Sequence, residues 1–213
     1  MSHRGIYDGS PFVKGVLMAR VRRLSVDELP PEYAELIKAQ ERTPLELAVG
    51  SIIGHRPDLA EPLTAFTRAL KKGQLPRRMV ELMRLRIAFH NQCRSCMAIR
   101  YQDAVDDGLT EELVCTLEQP YQAPDLTDAE RLAVRYADLF ASNHLAIDQE
   151  FYDELGRHFT EGEIVEIGLQ CALFVGVGRL AATLHIVEDL PTAFQATADA
   201  PITPWGNESV TVR

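Results

Sequence analysis

The sequence predicts an all-α fold, and three observations carry that expectation. Apolar residues recur at three- and four-residue intervals along most of the chain, as in "TDAERLAVRYADLFAS". Threonine followed three residues later by glutamate opens three such stretches, a reciprocal cap that satisfies orphan N–H groups at a helix start. No segment sustains period-two alternation, and β-branched residues are scattered.

Residues 1–17 show no period and are read as an N-terminal arm, followed by a helical domain over 18–190 and a C-terminal strap over 191–213. "TPLELAVGSIIGH" begins with Thr43 as cap, Pro44 in the first turn and Glu46 completing the box. "DLAEPLTAFTRALKKG" ends on lysines and Gly73, which suit a helix C-terminus. "PRRMVELMRLRIAFHN" starts at Pro76 and spaces Met79, Leu82, Met83 and Ile87 along one face. Asn91 is then expected to cap a helix running through two cysteines to Gly108.

"TEELVCTLEQ" reads as a short helix with an acidic first turn, stopped before Pro120 and Pro124. Thr127 with Glu130 opens the next helix, and a short piece begins near Asp148. The last and longest helix starts with Thr160 and Glu163 and is expected to reach about Asp189. The similar openings "LTEELV" and "FTEGEIV" hint at a duplicated helical unit. Within the last helix, Gly176 and Gly178 suggest a close backbone approach by a neighbouring helix or subunit, or a kink.

Composition narrows the function. A 46% hydrophobic and 25% charged chain is that of a soluble globular domain. The formal net charge of -9 disfavours phosphate-backbone neutralisation and anionic lipid surfaces, so neither nucleic acid nor membrane is expected as a partner. The N-terminus lacks the apolar run of roughly 7–15 residues that a secretory signal needs. The longest apolar stretch is broken by Gln170 and Arg179, as in a core helix. A cytoplasmic setting follows, where ordinary thiols stay reduced and a CxxC pair is a catalytic or metal candidate.

That pair is Cys93 and Cys96 in "FHNQCRSCMAIR". Positions three apart share a helix face, so the two sulfurs can meet. A helix start with Arg94 nearby, and Arg100 one turn beyond Cys96, favours thiolate. Three readings remain open on spacing alone. The thiols are a redox couple, or plain packing as expected for Cys115 and Cys171, or half of a zinc site with His90 as the nearby third ligand. Glu81 by itself reads as a first-turn acid or as the partner of a neighbouring arginine.

Glu81, eleven intervening residues and then Cys93-x-x-Cys96 together resemble the active-site pattern of the alkyl hydroperoxidase D-like branch of the carboxymuconolactone decarboxylase superfamily. The resemblance extends over about residues 20–188. It implies an all-α bundle, a homo-oligomer (a trimer or larger ring) and thiol-based reduction of hydroperoxides with neither metal nor organic cofactor. It makes Cys96 the attacking thiol, Cys93 the resolving thiol and Glu81 the carboxylate of a proton relay. A thioredoxin-like or dithiol reductant would complete the cycle.

Helix-dipole reasoning alone favours Cys93 as the more acidic thiol, so the two arguments disagree on order. The family's histidine four residues after the second cysteine is here Arg100, which cannot shuttle a proton. His90 is the candidate substitute, if the turn folds it over the site. Two other functions stay in view: a carboxymuconolactone decarboxylase-like lyase, and a non-enzymatic redox-sensing oligomer.

Overall fold

The computed structural model describes residues 19–38, 43–120, 123–195, 202 and 209–212. The expected arm at 1–17 lies outside the described residues, as does most of the strap. The described chain folds into helices α1 (Pro31–Lys38), α2 (Pro44–Ile53), α3 (Pro57–Lys71), α4 (Arg77–Asn91) and α5 (Arg94–Ala98), then strand β1 (Ile99–Tyr101). Helices α6 (Gln102–Asp106), α7 (Glu111–Thr116), α8 (Asp128–Ser142), α9 (Gln149–Leu155), α10 (Glu161–Leu184) and α11 (Thr192–Gln195) follow, with strand β2 (Val210–Val212) last.

The three expected capping boxes form. Thr43 with Glu46, Thr127 with Glu130 and Thr160 with Glu163 each exchange side chain-to-backbone bonds in both directions. Each threonine stabilises its helix start by about 1 kcal/mol relative to alanine. The openings "LTEELV" and "FTEGEIV" both become threonine-capped starts, although α7 runs for 6 residues and α10 for 24.

Helix α4 is the axis of the molecule. It packs against α8 on one flank and α10 on another, and Leu82, Met83, Leu85 and Ile87 have no solvent exposure. Each such side chain contributes about 1.5–3 kcal/mol relative to an exposed one. Met83 and Ile87 join a core with Ala133, Tyr136, Phe151 and Ile167, while Leu82 and Leu85 join a second one with Val114, Leu117 and Val134. Because most of α4 is enclosed, its charged residues Glu81 and Arg84 are buried with it.

Three boundaries differ from the sequence reading. The helix expected to run through the cysteines to Gly108 ends at Ala98, and Ile99–Tyr101 instead pair in parallel with Val210–Val212. The β-branched and aromatic side chains at 99 and 101 suit that strand, but its partner lies over 100 residues away and left no local signal. The last helix stops at Leu184, where His185 takes a left-handed φ of 52°. Ile186, Val187 and Leu190 stay buried beyond the turn, which imitated a longer helical pattern.

The third concerns Asn91, which is the last residue of α4 and not the cap of the next helix. Helix α10 is long and apolar enough, by length and composition, to cross a membrane. Ile167, Gln170, Cys171, Ala181 and Leu184 form its buried side within the described fold, and Val165, Leu169 and Leu180 stay exposed.

Candidate functional site

The site begins where α4 stops. Gln92 takes a left-handed φ of 50°, its N–H donates to Phe89 O at 3.1 Å, and the Cys93 N–H donates to Ala88 O at 3.2 Å. These bonds close the helix in the manner usually served by glycine. The Gln92 amide is itself tied down, donating to Phe89 O and Ile202 O and accepting from the Ile202 N–H at 2.9 Å.

Cys93 is then the cap of α5. The Cys96 N–H donates to its sulfur at 3.3 Å, and the Ser95 hydroxyl lies 3.6 Å away. The two sulfurs are bonded to each other, with the Cα atoms 5.2 Å apart. Cys93 is 1% exposed, whereas Cys96 is half-buried.

The difference in exposure has a direction. A cavity of about 510 Å³ opens between α2, α3, α4 and α10, and Ser95 and Cys96 form part of its wall. Its other walls are largely apolar, with Leu45 and Val49 from α2, Leu63 from α3, and Leu173, Phe174 and Val177 from α10. Cys96 faces this space; Cys93 is packed behind it. Gly178 lines the same wall, and a Cβ there would stand 3.9 Å from the Cys96 sulfur and 2.8 Å from the Asn91 amide nitrogen. Of the two glycines singled out in α10, Gly178 marks a close approach, and a Cβ at Gly176 would meet no atom of another element within 4 Å among the described residues.

Glu81 reaches the cavity but is not alone there. Both of its oxygens accept from Arg84, at 2.6 Å each, and the pair is buried. Arg84 also donates to Cys96 O and to Ile99 O, both at 2.7 Å, and its guanidinium lies over the Tyr101 ring. Burial works against the charge on Arg84, but the Glu81 carboxylate outweighs it and holds the guanidinium above its ordinary pKa.

His90 and Arg100 are placed elsewhere. His90 Nε2 lies 2.6 Å from Asp138 Oδ1, the same oxygen that accepts from Arg86, and His90 is not on the cavity wall. The turn after α4 therefore ties it to α8 instead of folding it over the sulfurs. Arg100 was expected on the Cys96 face; with α5 ending at Ala98 that helical relation is lost. It is 1% exposed, forks onto Glu111, and donates to Met97 O and Ile99 O. Cys171 is buried as expected, and burial pushes its thiol well up; Cys115, expected to pack inside, is exposed on α7.

Residues 57–139 match the model of the carboxymuconolactone decarboxylase family, a segment that holds Glu81, Arg84, Cys93 and Cys96. Over that segment the chain is similar to the carboxymuconolactone decarboxylase family. An uncharacterised Mycobacterium tuberculosis protein, found in two strains, is 35% identical over 89 residues, or 41% of this chain. The chain spans 31% of the length of that relative.

Among solved structures, the fold recurs in a peroxidase-related protein with an alkylhydroperoxidase AhpD core from Ralstonia eutropha. It has a TM-score of 0.69 at 19% identity, covering 87% of this chain and 98% of that one. A putative AhpD antioxidant defence protein from Agrobacterium tumefaciens scores 0.58 at 19% identity, over 65% and 96% of the two chains. The apo debrominase Bmp8 scores 0.63 at 17% identity, over 82% and 94%. At these identities the likeness is one of fold.

Proposed function

We propose that this chain is a peroxidase-like thiol oxidoreductase working through the Cys93/Cys96 couple. The observation that carries the reading is that the sulfurs are within bonding reach and only Cys96 opens onto the apolar cavity. In the reduced protein, Cys96 thiolate attacks the distal oxygen of a hydroperoxide, the O–O bond breaks, and an alcohol leaves once protonated. The Cys96 sulfenic acid then condenses with the Cys93 thiol, forming the S–S bond and releasing water.

Recovery uses the same asymmetry. A thioredoxin-like or small dithiol reductant attacks Cys96, and Cys93 departs as a thiolate held by the Cys96 N–H. The second reductant thiol then displaces Cys96, so two electrons and two protons enter from the dithiol. This order agrees with the family resemblance and gives Cys93, whose sulfur accepts the Cys96 N–H, the part of leaving group. The reading places the protein in a reducing compartment such as the cytoplasm.

A homo-oligomer is part of the proposal. Large apolar side chains on a helix are ordinarily buried, yet Val165, Leu169 and Leu180 of α10 are 61%, 42% and 44% exposed. A second copy of the chain is the natural cover for that face.

Stoichiometric titration with an organic hydroperoxide tests the function in the Cys115→Ser/Cys171→Ser background. One equivalent is expected to consume two thiols per chain and to yield the Cys93–Cys96 disulfide; thiols that stay reduced under excess peroxide sink the reading. Lactone decarboxylation that survives Cys93→Ser and Cys96→Ser would assign the lyase activity instead. A change of oligomeric state on oxidation without turnover would assign redox sensing.

A further inference from the structure

We propose that Arg84 is the positioning residue of this site: it holds the Cys96 backbone and supplies the positive charge felt by the Cys96 sulfur. Glu81 then acts by neutralising Arg84, not by accepting the proton. The inference rests on the thiol reading only in requiring a reactive Cys96 when the couple is reduced.

The geometry starts from the short length of α5. A five-residue helix leaves its last carbonyls without helical donors. Arg84 meets two oxygens at this end, Cys96 O and Ile99 O at 2.7 Å each, and Arg100 meets Met97 O at 2.7 Å. Arg84 is therefore clamped to the residue that carries the cavity-facing sulfur. Glu81 reaches that sulfur's surroundings through Arg84, because both carboxylate oxygens are occupied by the guanidinium.

The other ionisable groups on the cavity have different partners. Glu46 of α2 accepts from the Thr43 N–H and hydroxyl, and Arg77 of α4 pairs with Asp103 of α6 at 3.0 Å. Lys71 of α3 lies over the Tyr101 ring of β1, and Arg68 of α3 is exposed. Tyr33 of α1 adds a phenol, and α10 brings no ionisable side chain to the wall. Arg179 of α10 donates to Asn91 instead, and Arg94 lies on α5 itself. A guanidinium fixed at the Cys96 carbonyl is thus the charge best placed to act on its sulfur.

The two roles for Glu81 predict opposite signs. As a proton acceptor, its loss slows thiolate formation. As a neutralising partner, its loss leaves the Arg84 charge unbalanced beside the thiol and favours thiolate.

The test follows alkylation of Cys96 by iodoacetamide in the fully reduced protein from pH 5 to 10, read by mass spectrometry of the Cys96 peptide. Glu81→Gln is expected to lower the titration midpoint by about one unit, and Arg84→Met to raise it by about as much. Arg84→Lys, which keeps charge but not the fork, falls between wild type and Arg84→Met. A midpoint that rises or stays fixed in Glu81→Gln overturns the proposal, and this near-isosteric variant decides it alone if Arg84→Met fails to fold. Alkylation needs no peroxide, so failure of the peroxidase reading leaves the result interpretable.

Discussion

The Asn91 side chain bridges two helices, donating to Phe174 O at 3.0 Å and accepting from Arg179 Nε at 3.1 Å, directly against the backbone of Gly178. A Cβ at 178 would fall 2.8 Å from the Asn91 amide nitrogen, closer than side chains tolerate. In an open helix Gly→Ala is worth up to about 1 kcal/mol in favour of alanine. Gly178→Ala is expected to reverse that sign, by about 1–3 kcal/mol as overpacking. Gly176→Ala, whose Cβ would meet no atom of another element within 4 Å among the described residues, is expected to be the milder change. The order of the two thermal midpoints is the check.

Restoring the family histidine at position 100 is expected to fail. Arg100 points its donors at Glu111, Met97 O and Ile99 O, so an imidazole there loses the fork and leaves a buried carbonyl short of a donor. Arg100→His is expected to cost about 1–3 kcal/mol of stability through that unsatisfied group, without raising the rate of disulfide formation. Glu111 is half exposed, so the ion pair itself adds little to the loss. Urea unfolding and peroxide stopped-flow measure the two parts; faster disulfide formation would return position 100 to the relay.

His185 should make stability depend on pH. Its Nε2 is buried without a hydrogen-bond partner among the described residues. Burial, with the charges of Arg20 and Arg94, depresses its pKa below that of a free imidazole, against a smaller opposing pull from Glu188. Neutral His185 thus suits the folded state. Its stability is complete above the unfolded pKa of about 6.5 and falls as the pH drops below it, where the unfolded chain takes the proton first. His185→Asn keeps a residue tolerant of the left-handed backbone and is expected to lose less melting temperature between pH 7.5 and 5.5. Equal losses in both proteins would count against His185 as the source.

The exposed strip on α10 gives a fourth expectation. Leu169→Asp places a carboxylate where we propose a second copy packs, and the helix is otherwise undisturbed because Leu169 is 42% exposed within the chain. Light scattering is expected to show a smaller particle than wild type at equal concentration. An unchanged particle mass would separate the strip from the oligomer interface.

Much of the fold was legible because its signals are local. The threonine boxes at 43, 127 and 160 satisfy N–H groups three residues away, and the spacing of Met79, Leu82, Met83 and Ile87 follows from a 3.6-residue turn. The disulfide-capable pair was legible for the same reason. Arg84 was within reach of the sequence as well, since it stands three residues after Glu81 on a helix, the spacing of an ion pair. The positions of His90 and Arg100 were not legible, because His90 depended on how the turn at 92–93 folds and Arg100 on a helical register that stops at Ala98.

By itself, the sequence determined the helices, their caps and the meeting of two thiols, since hydrogen bonds and side-chain periodicity act over three or four residues. Tertiary structure alone decided which sulfur faces the cavity, that Glu81 is bound by Arg84, and that β1 receives a strand from the far end of the chain. Those outcomes depend on what packs around α4 and α5. Burial sets which atoms remain reachable and which charges must pair, and burial belongs to the assembled helices together.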